Sequence, residues 1–187
     1  MILSDFDLMN LIRSKRLSIE PFSPDIVREN GIDFRLDSEI GRHIDKGPDF
    51  IMDPHSEESI HGAYSLKKCD DVMVVNGKEQ VLLTTIETIE LPDDIVGMVE
   101  LRSTWARHGL SMPPTIIDAG FKGTVTLEVI NNAPYKIALR PHVRFAHVIF
   151  VKTSSRVEKS YSGKYMGQKG IKLPKVMELP EPVVKKA

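Results

Sequence analysis

Several segments of this chain alternate in polarity with a period of two, in runs too short for anything but strands of an antiparallel sheet. Ile32, Phe34 and Leu36 alternate with polar neighbours. In the segment 124–130, Val125, Leu127 and Val129 point one way while Thr124, Thr126 and Glu128 point the other. Further strands are predicted at Ile95–Leu101, Ile137–Leu139 and Phe145–Val151, the last two separated by the turn Arg140-Pro141-His142. Val72–Val75 and Val81–Thr85 flank Asn76-Gly77, a hairpin signal, and are expected to pair. Short strands with Gly and Pro punctuation predict a mainly β fold, a distorted antiparallel barrel or sandwich. Helices are expected to be short and N-terminal. Ser4 with Asp7 makes a capping-box-like start before Phe6, Leu8, Met9, Leu11 and Ile12, and Ser23-Pro24 opens a second helical turn.

At 187 residues the chain suits one domain with a core of its own. Residues 1–155 are read as the barrel, and 156–187 as a tail too poor in aliphatic residues to bury itself. That tail either stays mobile or orders over something. The stretch 37–68 is polar, with weak periodicity and five acids between Asp45 and Glu58, and is read as a surface insertion. No apolar run approaches the ~18 residues of a membrane span. The acidic, soon interrupted start Met1–Asp7 does not resemble a secretory signal, and the single Cys69 forms no intrachain disulfide. The expectation is a cytoplasmic protein that engages no membrane.

The net charge of −1 hides an asymmetry. Residues 129–187 hold twelve Lys or Arg against three acids, a net +9, which leaves −10 for the rest. The basic third is a solvated face or an anion site, and the acidic remainder argues against general nucleic-acid binding.

Three stretches carry candidate chemistry. In Arg102-Ser103-Thr104-Trp105-Ala106-Arg107, two guanidiniums and two hydroxyls are placed to grip phosphate oxygens; the same residues read equally as a helical turn with surface arginines. In Asp118-Ala119-Gly120-Phe121-Lys122-Gly123, two glycines flank an aromatic, marking a tight turn where backbone approaches something closely. The strand that follows carries Glu128, either on a solvent face or in a pocket whose low polarity suits it to proton transfer. In Tyr161-Ser162-Gly163-Lys164-Tyr165-Met166-Gly167-Gln168, flexible backbone is combined with a cation and hydrogen-bonding groups, as in a flap over a phosphorylated ligand or a floppy basic tail. There is no phosphate loop and no dinucleotide fingerprint. The six histidines show no metal-ligand spacing, and one cysteine does not suffice for the zinc-deaminase signature. His147, in an apolar strand, reads as a satisfied core or pocket-edge histidine, and Trp105 as packing.

Taken in order, these stretches resemble the dCTP deaminase family, within the group that includes the trimeric dUTPases. The start Met1-Ile2-Leu3-Ser4-Asp5 and Ile19-Glu20-Pro21-Phe22 echo the family's opening. Gly31-Ile32-Asp33-Phe34-Arg35-Leu36 is similar to its early Gly-x-Asp-Leu strand, and Arg102–Arg107 to its Arg-Ser-Ser/Thr-x-Ala-Arg motif. Asp118-Ala119-Gly120-Phe121 through Leu127-Glu128, and Lys164-Tyr165-Met166-Gly167-Gln168, resemble the two closing blocks. A trimeric dUTPase would show Asp-x-Asp-Tyr where this chain has Asp118-Ala119-Gly120-Phe121, and a glycine-rich Phe-Gly-Ser-Thr-Gly arm at its end.

The resemblance implies a dUTPase-like (β-clip) barrel and hydrolytic, zinc-independent deamination of dCTP to dUTP and ammonia, supplying dUTP for dUMP and dTTP synthesis. The alternatives are a bifunctional dCTP deaminase/dUTPase giving dUMP and pyrophosphate, a plain dUTPase, and a non-catalytic nucleotide-binding regulator. By resemblance Glu128 is the general acid/base, and Ser103 and Arg107 position water and stabilise developing charge. Arg102, Ser103, Thr104, Arg107, Tyr161, Lys164 and Gln168 hold the triphosphate together with Mg2+ bound through its oxygens, and the protein itself supplies no metal site. Asp118, Thr126 and Leu127 belong to the nucleotide site, with Asp118 at the deoxyribose. The family assembles as a homotrimer with sites between subunits, and dTTP inhibition is a family trait. The connection Gly109–Ile116 is compact and proline-stiffened, whereas several members carry a longer one that bears on that inhibition.

Overall fold

Residues 1–179 are described by a computed structural model. The end of the tail, 180–187, with Glu181, Lys185 and Lys186, lies outside the described residues. Helix α1 (Asp5–Arg13) starts at the expected capping box. The Ser4 hydroxyl accepts from the Asp7 N–H at 3.4 Å, and the Asp7 carboxylate accepts from the Ser4 N–H at 3.2 Å. Its apolar stripe buries Leu8. One 3-10 turn follows at Pro24–Ile26.

The rest is strand, apart from two short helices, α2 (Glu57–Gly62) and α3 (Ser103–Arg107). The strands are β1 (Ser18–Glu20), β2 (Val27–Arg28), β3 (Gly31–His43), β4 (Tyr64–Lys68), β5 (Met73–Val75), β6 (Gln80–Thr85) and β7 (Thr88–Glu90). They continue as β8 (Ile95–Leu101), β9 (Leu110–Ser111), β10 (Thr115–Ile117), β11 (Lys122–Gly123), β12 (Thr126–Asn131), β13 (Ile137–Leu139) and β14 (Arg144–Lys152). A large antiparallel sheet runs β10-β8-β14-β3-β6-β12-β9, with β2 and β4 added along β3. Two smaller sheets, β1-β7-β11 and β13-β5, complete the set. The fold is the expected mainly β one, a curled half-barrel whose two edge strands, β10 and β9, do not pair with each other.

The 13-residue β3 makes the curl. Its first part pairs with β14, its second with β6 and β4, and the register shifts between Leu36 and Ile40. Such a bulge lets one strand serve two parts of a bent sheet. Alternate residues of β3, β6, β12 and β14 fill the concave side, where Phe34, Phe145 and Phe150 are fully buried among Ile, Leu and Val. Leu127 and Val129 point into this core as the alternation predicts.

Two expectations are corrected. The segments around Asn76-Gly77 do not pair with each other. A turn forms there, but β5 leaves to pair with β13 while β6 pairs with β3 and β12. The buried Asn131 decides the split: its side-chain amide donates to the carbonyls of Val75, Asn76 and Tyr135 and anchors the turn to the β12–β13 connection. The polar stretch 37–68 is also not wholly irregular. Its ends are the far half of β3 and β4, paired from Glu39↔Lys68 to His43↔Tyr64, so only 44–56 form an exposed loop before α2. No helix among the described residues is long and apolar enough to cross a membrane.

Candidate functional site

Glu128 stands on β12 between Thr126 and Ile130, on the face turned away from the core, with Leu82 of β6 as its cross-strand partner. Residues 115–118, Phe121, Tyr64 of β4 and the tail residues Tyr161, Tyr165, Gln168, Lys172 and Pro174 line the same space with it. The enclosed space is a cavity of about 340 Å³, a volume suited to a nucleobase with its sugar. Glu128 is therefore not on an open solvent face. Burial pushes its carboxyl above the ordinary range, and a backbone hydrogen bond only partly opposes this. A carboxyl displaced upward holds and releases a proton nearer neutral pH than a free glutamate does.

The tail reaches the cavity because of the two glycines flanking Phe121. Gly120 has φ +84°, and a Cβ there would stand 2.7 Å from the Ser160 Cβ; next to it the Tyr161 N–H donates to the Ala119 carbonyl at 2.9 Å. Gly123 has φ +148° and forms a parallel bridge with Gln168. The Thr124 N–H donates to the Gln168 carbonyl at 3.0 Å, and the Gly167 N–H to the Lys122 carbonyl at 2.7 Å. The close approach read from glycine spacing is thus the docking track of the tail. Tyr161 packs against Phe121, with ring centroids 5.6 Å apart. Gln168 is buried and lines the cavity; its Nε2 donates to the Thr124 carbonyl at 2.6 Å, while its Oε1 is buried without a partner.

The structure brings Asp118, Thr126, Glu128, Tyr161 and Gln168 into one cavity. Leu127 does not line it, its side chain being buried in the core. Lys164 is exposed and turned elsewhere, its ammonium donating to the Val176 carbonyl at 2.9 Å. Arg102, Ser103 and Thr104 line a different cavity of about 310 Å³, which shares no lining residue with the first. Arg107 lies in neither cavity and is exposed at the end of α3. In that second cavity Asp33 is buried: His147 Nδ1 lies 2.9 Å from its Oδ1, and Arg102 Nε lies 3.3 Å from its Oδ2. His147 is the satisfied pocket-edge histidine expected. Trp105 is packing, its indole N–H donating to the Arg144 carbonyl at 2.9 Å and its ring 5.5 Å from Phe145. Among the described residues, no group of three or more His, Cys, Asp or Glu side chains converges on a metal position.

Sequence reading missed Tyr64, Gln80, Tyr165 and Lys172 as lining residues of the Glu128 cavity. Tyr165 and Lys172 sit in or beside a motif already singled out. Tyr64 and Gln80 reach the cavity through strand pairings that no local pattern shows.

The curled antiparallel sheet is of the dUTPase-like class. A solved 2'-deoxycytidine 5'-triphosphate deaminase from Agrobacterium tumefaciens shares it, with a TM-score of 0.63 over 80% of this chain. At 20% identity that likeness shows the fold alone, and this chain spans 46% of that longer one. A family model described as dCTP deaminase-like matches residues 2–153. Proteins named dCTP deaminase are similar over most of their length. The one from Pyrobaculum neutrophilum is 45% identical over 175 residues, covering 94% of this chain and 97% of that protein. The one from Hyperthermus butylicus is 46% identical over 177 residues, covering 94% and 99%. The chain belongs to the dCTP deaminase-like family.

Proposed function

We propose that this protein hydrolyses dCTP to dUTP and ammonia, and that Glu128 carries the reaction. The observation that supports it most directly is a carboxyl raised by burial at the floor of a nucleotide-sized cavity. The reaction adds water at the ring carbon bearing the amino group and expels ammonia. Glu128 as carboxylate takes a proton from the attacking water, passes it to the ring nitrogen, and takes part in protonating the departing amine. Atoms balance as dCTP plus water giving dUTP plus ammonia, with Glu128 returned to its starting state. Thr126 and Asp118, which line the same cavity, are assigned to the sugar.

In this reading Arg102, Ser103, Thr104 and Arg107 complete the site from a second copy of the chain. Their placement away from the Glu128 cavity supports this, because one subunit then offers half a site at each of two places. A closed ring of such heterologous contacts is the homotrimer of the family. Magnesium enters as the counter-ion of the triphosphate, held by phosphate oxygens. Lys164 and the arginines neutralise the remaining charge. dTTP, with the same sugar and triphosphate, competes for these groups. The enzyme works in the cytoplasm, without nucleic acid, membrane or zinc.

The test is product analysis with purified protein, dCTP and magnesium. Release of ammonia with dUTP is expected, and Glu128→Gln abolishes it. Accumulation of dUMP and pyrophosphate indicates the bifunctional reading, and inert dCTP with cleaved dUTP indicates a dUTPase. Co-expression of Glu128→Gln with Arg107→Ala checks the composite site. Two inactive variants then restore about a quarter of parental activity, the statistical share of intact sites in mixed rings.

A further inference from the structure

The β3–β4 arm grows out of the polar stretch that the family motifs leave uncovered, yet it ends at the Glu128 cavity. Register places it there. Glu128 pairs with Leu82, Leu82 with Gly41, and Gly41 with Leu66, one row across β12, β6, β3 and β4. Tyr64 lies two residues from Leu66, on the same face and in the adjacent row, paired with His43. Between the rows' ends β3 offers no side chain at Gly41, where a Cβ would come within 3.0 Å of Leu66 and 3.2 Å of Leu82. The Tyr64 ring reaches the cavity wall, is half-buried, and has the His43 ring tilted against it at 4.6 Å between centroids.

We propose that Tyr64 is a positioning residue of the deamination site: its ring, braced by His43, forms the wall that keeps water off the Glu128 carboxylate. The inference rests on the role given to Glu128 above. The two groups sense one another. Burial first, and the Glu128 charge second, hold the Tyr64 phenol above its ordinary value, so the ring stays neutral through the working range. The other titratable groups lining the cavity are Asp118, beyond β10, and Tyr161, Tyr165 and Lys172 from the tail; β6 contributes only Gln80 and Leu82. Tyr64 is therefore the part of the wall that the β3–β4 arm supplies, the one residue of β4 in the lining.

Removing a wall rehydrates the carboxylate, lowers its proton affinity and weakens it as a base. The experiment measures kcat and KM for dCTP with magnesium from about pH 5 to 9 for the parent, Tyr64→Phe and Tyr64→Ala, with Glu128→Gln alongside. In Tyr64→Ala the acid limb of kcat moves to lower pH and kcat falls about tenfold, with KM changing less than about threefold. Tyr64→Phe keeps the parental limb and most of the rate. A loss of folding stability alone moves neither limb. A Tyr64→Ala enzyme with the parental limb and kcat, beside an inactive Glu128→Gln, overturns the inference and leaves the Glu128 role intact. A Tyr64→Phe enzyme as impaired as Tyr64→Ala also overturns it, because the hydroxyl would then act in place of the ring. An active Glu128→Gln removes the reading on which both stand.

Discussion

Gly123 lies so close to Gln168 that a Cβ on the glycine would stand 2.9 Å from the Gln168 carbonyl oxygen and 3.0 Å from its amide nitrogen. This contact joins the barrel to the tail. Gly123→Ala adds both that clash and a left-handed φ of +148° to a non-glycine residue. The tail undocks while the barrel stays folded, at a cost of about 1–3 kcal/mol. KM for dCTP rises about tenfold or more, and limited trypsin digestion cuts near Lys159 and Lys164 much faster than in the parent. Parental KM with a protected tail would show that the docked tail does not hold the nucleotide.

Burial of Glu128 costs the folded protein stability near neutral pH. Its folded-state pKa is raised above the ordinary 4.5, so the folded chain binds the proton more tightly than the unfolded chain does. Stability contributed by this group is full at low pH and falls as pH rises through the displaced value. Glu128→Gln, which never ionises, therefore melts higher than the parent at pH 7, and the two curves converge below about pH 4. Thermal melts across pH read this directly; a lower melting point for Glu128→Gln at pH 7 would contradict the burial argument.

Asp33 anchors Arg102 from beneath. Its side chain is 2% exposed, whereas that of Arg102 is 35% exposed. Asp33→Asn leaves the arginine without its partner and weakens the bond to His147. The expected loss is about 2 kcal/mol, below the ~3–5 of a fully buried pair because solvent screens the arginine. For a chain of this size that lowers the melting temperature by about 4–8 °C. KM for dCTP rises in the same variant, since Arg102 then keeps only its 3.4 Å bond to the Arg144 carbonyl; unchanged KM would confine Asp33 to a structural role.

At the N-terminus, Ser4→Ala removes one half of the capping box and leaves an Asp7 N–H without its acceptor. The loss is about 1 kcal/mol, or about 2–4 °C in the melt, with kcat unchanged. A catalytic defect there would mean that α1 acts on the site in a way its position does not show.

Local patterns carried far in this chain. The alternation along 124–130 named the core residues of β12, and the Ser4-Asp7 spacing named the start of α1, because both report contacts within a few residues. The glycines at 120 and 123 marked a close approach, since positive φ and a missing Cβ are written in the residue type itself. The hairpin at Asn76-Gly77 misled for the opposite reason. Its turn is local and forms, but strand partners are chosen by burial across the barrel, and Asn131 lies some 55 residues away.

The candidate site divides the same way. Residue identity and spacing singled out the stretches that hold Glu128, Asp118, Tyr161 and Gln168, which share one cavity. Only the tertiary structure decided that Glu128 faces a cavity and not an open surface, because that depends on tail residues docking along 122–124 and on Tyr64 arriving from β4. It also separated Arg102, Ser103 and Thr104 from Glu128, which lies 24 to 26 residues further along and lines a different cavity. Sequence determines which side of each strand is apolar through the fixed period of the pleat. Which strands meet, and hence which polar side chains share a cavity, is set by the curl of one long strand and the pairings it accepts on either side of its bulge.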